Sequence, residues 1–343
     1  MPASATKTFT KRFTIKAVPP FDFDLSARIF SRGDPQFRTY EDGRSWQLIK
    51  IGRKPALCVI RSTGSVEEPE LRVELKTVEE LSPSDVTKAR AMVNSMFNLD
   101  MDLKPFYKAV KGDPVLSGLA RRMYGLKSPT TPTVFEALVG SIVEQQISLI
   151  AAHAMQSRMI KEFGSPVTIE GTTYYMFPAP EKLSAARIEE LKSCGLSTRK
   201  AEYIKDVAML VASGNLDLDK FEGYDDIEAI REELSSIRGI GRWTAEMTMI
   251  RGLHKMDSIP ADDIGLQARI SYFYGREHRV SSGELREIAE RWGKYRGLGG
   301  YYLIMAHHLD LERGEGFNDD RAARARTPKK PAARPPRERI IMD

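Results

Sequence analysis

Between two amphipathic helical patterns, at 225–236 and 243–254, the chain places two glycines around one apolar residue, Gly239-Ile240-Gly241. Few short stretches limit a fold as much. Glycine takes positive φ at little steric cost and leaves its backbone N–H bare. The helix that follows starts with unpaired N–H groups and the positive end of its dipole. A hairpin of this kind, spanning 234–252 (LSSIRGIGRWTAEMTMIRG), is a ready site for an anion such as a DNA phosphate. Ile240 is expected to be buried between the two helices. For the Gly-Ile-Gly step alone, a plain helical hairpin with a glycine turn is the commoner outcome, so the neighbouring residues have to decide.

Past the second helix lies the loop 257–266, DSIPADDIGL. Pro260 ends one element, and Asp262 and Asp263 open the next helix. Capping a helix N-terminus is the ordinary work of such aspartates. The glutamines of SIVEQQIS (141–148) stand out on an apolar helix pattern, because buried amides need partners. Capping the break between two helices is their simplest role.

The rest of the chain sets the scaffold. Strand patterns fall at 13–17, 45–52, 56–63 and 71–78, rich in alternating or β-branched residues. GDP at 33–35 and EEPE at 67–70 supply turns. PPFDFDLSARIF reads as a short helix after two prolines. SPSD opens an amphipathic helix over 82–97. After Leu99 the strand signals fade. Helical patterns follow at 103–111, 114–123, 133–163 with a break, 180–194, 197–213, 225–236, 243–254, 263–274, 282–294 and 298–312. Their short loops imply packed helical domains. The expected fold is α+β. A small N-terminal antiparallel sheet domain with helices occupies 1–100. Two packed all-helical domains within 101–317 contain the hairpin and the Asp263 loop. Residues 318–343 form a basic tail expected to be disordered.

Charge needs care. The formal net charge is +5, but eight Arg and Lys face one Glu338 between Arg321 and Arg339, so the remainder stands at −2. Any DNA surface is then a local patch. The tail reads either as a solubilising segment or as an electrostatic tether to phosphates. Two distant cysteines, Cys58 and Cys194, cannot build a disulfide framework or a four-cysteine metal site. Met1–Lys11 is polar, and no apolar run approaches the roughly 20 residues of a membrane span. The expected setting is reducing and off the membrane: cytoplasmic and nucleoid-associated, or nuclear in a eukaryote. The histidines 153, 254, 278, 307 and 308 show no ligand spacing, so packing or surface roles are expected.

The pattern L-x-x-I-x-G-I-G-x-W-T-A, from Leu234 to Ala245, resembles the hairpin of the helix-hairpin-helix DNA glycosylase superfamily, in its 3-methyladenine DNA glycosylase II type. PPFDFD, residues 177–208 and RWGKYRGLGGYYL (291–303) are similar in the same order. The resemblance runs from Phe13 to Leu311. It implies that Asp263 is the catalytic carboxylate, with Asp262 in a capping or supporting role. Breaking an N-glycosidic bond leaves positive charge on the sugar, and a carboxylate near C1′ stabilises it or orients the attacking water. The target nucleotide must be flipped out of the duplex.

The same resemblance assigns further residues. Trp243 stands where lyase-competent relatives carry a lysine, which implies a monofunctional enzyme that uses water. Trp243, Met247, Ile264 and Ile304 would line the base pocket, with a core tryptophan as the lesser alternative for Trp243. Gln146 would fill the gap left by the flipped base, and Gln145 would help hold the DNA strand. Gly239, Gly241 and Thr244 would donate N–H groups to phosphate. The carbonyls of Ser235, Ile237 and Ile240 would hold K+ or Na+. No other cofactor is required, and two cysteines exclude an iron–sulfur cluster. Met247, Ile264 and Ile304 replace aromatic residues found in the broadest-range relatives, which weakens a cation-stacking pocket. Trp292, Tyr295, Tyr301 and Tyr302 could compensate, with Trp292 equally a core residue.

The function expected is hydrolytic excision of alkylated purines from double-stranded DNA by a monomer, leaving an abasic site. 3-Methyladenine is the chief substrate and 7-methylguanine an additional candidate. The alternatives are the same reaction on hypoxanthine, uracil or oxidised guanine, or a non-catalytic hairpin that only binds DNA. A carboxylate facing an anionic backbone argues against mere binding.

Overall fold

The computed structural model of the protein describes residues 7–313. The basic tail at 318–343 lies outside them. The N-terminal part holds β1 (Phe9–Lys16), α1 (Phe23–Ala27), β2 (Arg38–Glu41), β3 (Arg44–Ile51), β4 (Lys54–Ser62) and β5 (Glu70–Thr77). The five strands form one antiparallel sheet in the order β1-β5-β4-β3-β2. Strand β2 carries too few apolar residues to announce itself. It forms because Asp42 and Gly43, both at positive φ, make the tight turn that lays it along β3.

Helix α2 (Pro83–Met96) covers one face of this sheet. Ser82 accepts from Asp85 N while the Asp85 side chain accepts from Ser82 N, a reciprocal cap that fixes where the helix starts. Its apolar face, Ala89, Val93 and Met96, packs with Ile49, Cys58, Ile60, Val73 and Leu75 into one core.

Two more cores follow. α3 (Lys104–Ala109) and α4 (Leu116–Arg122) lead into α5 (Val134–Glu144) and α6 (Leu149–Phe163). Then comes a departure from the all-helical expectation. β6 (Pro166–Ile169) and β7 (Thr172–Tyr175) form a two-stranded hairpin around Glu170 and Gly171, both at positive φ. Each strand has only four residues. Their support is tertiary: Ile169 joins Leu48 and Leu57 on the outer face of the first sheet, and Lys76 Nζ reaches Glu170 at 2.6 Å.

The chain continues through α7 (Pro180–Ala185), α8 (Ile188–Ser193), α9 (Thr198–Ala212), α10 (Ile227–Ser235) and α11 (Arg242–Leu253). It ends in α12 (Ile264–Phe273), α13 (Ser282–Glu290) and α14 (Arg296–Arg313). Helices α5 to α11 share one core, around Leu138, Ile142, Leu191, Ile204, Leu234 and Ile240. Helices α3, α4 and α12 to α14 share another, around Phe106, Leu116, Ile270, Trp292 and Tyr302. Helix α11 feeds both, with Ala245 and Met249 in the first and Ile250 in the second. The loop after α11 therefore crosses from one helical lobe to the other. No helix among the described residues is long and apolar enough to cross a membrane.

Candidate active site

The hairpin forms as its glycines require. Ile240 is 3% exposed and packs in the core of the first lobe. Gly239 sits at φ +86°, and a Cβ there would lie 2.2 Å from the Tyr203 ring. No other residue type fits. Gly241 caps α11 without a side-chain bond, and the space around its Cα is open. The N-terminus of α11 is thus bare and exposed, as an anion site needs.

Gln145 and Gln146 part company at the break between α5 and α6. Gln145 turns inward: Nε2 donates to Gly239 O at 3.0 Å and to Thr244 Oγ1 at 2.9 Å. It ties the hairpin to the end of α5. The Thr244 side chain is committed to this contact and is 2% exposed. Gln146 sits at φ +56° and is exposed, next to the exposed Leu149 and Ile150. The break projects one amide and two apolar side chains into solvent.

Helix α11 ends at His254, in the left-handed region, and the chain turns through Pro260 and Ala261 to Asp263. Here the cap assignment is corrected. Asp263, not Asp262, caps α12: its Oδ1 accepts from Leu266 N at 2.7 Å. Asp262 faces away and accepts from Ser282 Oγ at 2.5 Å. The reason is geometric, since Asp263 is the residue directly before the first helical turn. The other oxygen of Asp263 reaches across the loop. Oδ2 accepts from Trp243 Nε1 at 2.9 Å. Sequence reading gave Trp243 and Asp263 separate roles, and the indole N–H joins them.

Both residues are half-buried, so the carboxylate is held by two N–H groups and still open to a ligand. Of the other residues expected at the pocket, Met247 is 9% exposed on the turn of α11 after Trp243, Ile264 is 64% exposed at the start of α12, and Ile304 on α14 is half-buried. Trp292 and Tyr302 do not supply pocket aromatics. Both are 0% exposed, the indole donating to Asp113 Oδ2 at 3.0 Å and the phenol to Leu126 O at 2.9 Å. Their polar ends are spent holding the second lobe together. Tyr295 packs on Phe106. Tyr301 is partly exposed, but its hydroxyl is buried, and burial pushes its pKa well up.

One pair was passed over. Arg251 lies two turns past Trp243 on the same side of α11, and its Nη1 sits 2.7 Å from both oxygens of Glu144, the last residue of α5. The spacing 243, 247, 251 was the available signal.

A carboxylate fixed by a helix N-terminus and an indole, beside a bare hairpin N-terminus, can stabilise a developing cation while an anionic polymer is held alongside. The chain is similar to known proteins over much of its length. Residues 139–294 match the family model described as HhH-GPD superfamily base excision DNA repair protein. A DNA-3-methyladenine glycosylase of Bacillus subtilis is 32% identical over 228 residues, 66% of this chain and 74% of the relative. DNA-3-methyladenine glycosylase 2 of Escherichia coli is 26% identical, across 90% of this chain and 100% of its own. The solved 3-methyladenine DNA-glycosylase from Archaeoglobus fulgidus superposes with a TM-score of 0.75 at 27% identity, covering 87% of this chain and 99% of that one.

Proposed function

The chain belongs to the HhH-GPD superfamily of base excision DNA repair proteins, and from that premise we propose how its site works. It is a DNA N-glycosylase that excises alkylated bases from DNA. We assign 3-methyladenine as its chief substrate and 7-methylguanine as a second one. The observation that carries the reading is the hydrogen bond from Trp243 to Asp263 at the mouth of the interlobe loop.

The target nucleotide leaves the stack and enters the space beside Trp243, Met247 and Ile304, while Gln146 takes its place in the duplex. The N-glycosidic bond breaks with its electron pair going to the base. The sugar gains positive charge at C1′, and the Asp263 carboxylate stabilises it. Water adds to C1′ and gives up a proton, leaving an abasic site and the free base. Asp263 orients that water. Trp243 has no amine to attack C1′, so the reaction is hydrolytic. The bare N–H groups at Gly239, Gly241 and Thr244 hold a phosphate.

The hairpin also suits a monovalent cation. Ile237 O accepts only the N–H of Ile240, at 3.0 Å, among the described backbone bonds. The buried Ser235 hydroxyl finds no partner among the described residues. The carbonyls of Ser235, Ile237 and Ile240 would hold K+ or Na+, which would supply positive charge facing the phosphate.

The test is a panel of duplexes, each with one lesion: 3-methyladenine, 7-methylguanine, hypoxanthine, uracil or 8-oxoguanine. Release confined to the methylated purines, with no covalent complex trapped by borohydride, is expected. A trapped complex would mean a lyase and overturn the hydrolytic reading. Release of uracil or 8-oxoguanine alone would overturn the substrate assignment.

A further inference from the structure

Behind the loop that ends at Asp263, α13 sends Arg286 between two elements that must stay aligned. Arg286 Nη1 donates to Ile259 O at 3.3 Å. Its Nη2 lies 3.0 Å from Glu246 Oε1 and 3.9 Å from Asp262 Oδ2. Glu246 is 2% exposed and sits on α11 one turn after Trp243. One guanidinium thus touches both the helix that carries the indole and the loop that carries the carboxylate.

The loop is held at more than one point. Ser282, in the first turn of α13, donates to Asp262 Oδ1. Gln267 Nε2 donates to Ala261 O at 2.9 Å and to Ser282 Oγ at 3.2 Å. Positions 259, 261 and 262 are therefore fixed by side chains of α12 and α13 directly before Asp263. Arg286 alone among these reaches α11 as well. The buried Glu246 carboxylate needs its arginines: burial pushes its pKa up, and Arg242 and Arg286 pull against that. A cavity of about 130 Å³ lies beside them, so a truncated Arg286 would leave space open to water rather than close-packed atoms.

We propose that Arg286 is a positioning residue for base excision, clamping the Asp263 loop to the helix that bears Trp243. It touches neither DNA nor sugar and acts through the alignment of the carboxylate. The inference rests on the glycosylase reading above. A misplacement of an ångström in such a site costs on the order of 100-fold in rate.

The experiment measures single-turnover release of a methylated purine, affinity for duplex DNA with an abasic-site analogue, and thermal stability. It compares wild type, Arg286→Gln, Arg286→Lys, Asp263→Asn and the double variant Asp263→Asn/Arg286→Gln. Arg286→Gln is expected to slow release by about 10-fold to 100-fold, with abasic-duplex affinity nearly unchanged. Arg286→Lys should recover part of the rate. In the Asp263→Asn background, Arg286→Gln should add no further loss. Two results overturn the proposal: a folded Arg286→Gln enzyme that is less stable but releases base at the wild-type rate, or a loss that multiplies with that of Asp263→Asn. If Arg286→Gln does not fold, Arg286→Lys carries the same comparison, since a lysine ammonium cannot span Glu246 and Ile259 O together. A wild type that releases no base removes the glycosylase reading and the proposal with it, and its own inactivity distinguishes that case.

Discussion

Asp263 serves two structural partners at once, the Leu266 N–H through one oxygen and the Trp243 indole through the other. A helix cap and a catalytic carboxylate are often treated as rival readings of one aspartate. Here the cap is what orients the group, because fixing one oxygen leaves the other on the Trp243 side. The indole bond is charge-assisted and worth roughly 1.5–3 kcal/mol. Trp243→Phe keeps most of the ring and removes the N–H. It should slow base release by about 10-fold or more, while affinity for abasic DNA stays close to wild type. Equal rates for the two enzymes would show that the bond does not hold the carboxylate in place.

Among elements, the α10–α11 hairpin shows why two glycines of one motif are unequal. At Gly239 both the backbone and the neighbours forbid a side chain, with φ at +86° and the Tyr203 ring against the missing Cβ. Gly239→Ala should destabilise the fold by about 2 kcal/mol or more and abolish DNA binding, checked by denaturant unfolding and a binding titration. Gly241 lies in extended backbone with open space around it. Gly241→Ala keeps the N–H and should leave both measurements nearly unchanged. This hairpin was legible in the sequence because glycine spacing is a local signal. So was the helix over 82–97, whose Ser82–Asp85 cap is local too. Strands β2, β6 and β7 were not, because four residues of strand are fixed by the surface they lie on. Gln145 was half legible: a partner was expected, but that it would be Gly239 O and Thr244, some 94 and 99 residues away, depends on the packing of α5 against α11. The cap expected at Asp262 falls on Asp263 for the same kind of reason, since a one-residue shift of the cap is decided by the loop behind it.

At the scale of the molecule, three cores meet around a few buried polar ties. Lys127 is one: it is 0% exposed, and its ammonium donates to Val18 O at 3.0 Å and Leu99 O at 2.9 Å. It ties the segment between α4 and α5 to the sheet domain. Burial pulls its pKa down from 10.5 to about 8. The fold therefore favours the neutral amine. This group's stabilising contribution is fully present above pH 10.5 and is lost as pH falls from there to about 8. Wild type should gain on the order of 3 kcal/mol relative to Lys127→Met as pH rises from about 8 to 10.5, read from unfolding curves of both at each pH. A constant difference would mean the amine is not desolvated in the folded protein. Base excision through Asp263, as proposed above, belongs to this scale as well, because the Asp263 loop exists only where one helical lobe passes into the other. Its most direct test is base release from duplex DNA carrying one methylated purine, comparing wild type with Asp263→Asn, with DNA affinity measured in parallel. The account predicts that wild type releases the base and that release collapses in Asp263→Asn while binding persists. A wild type that binds DNA but releases no base, or an Asp263→Asn variant as fast as wild type, would contradict it.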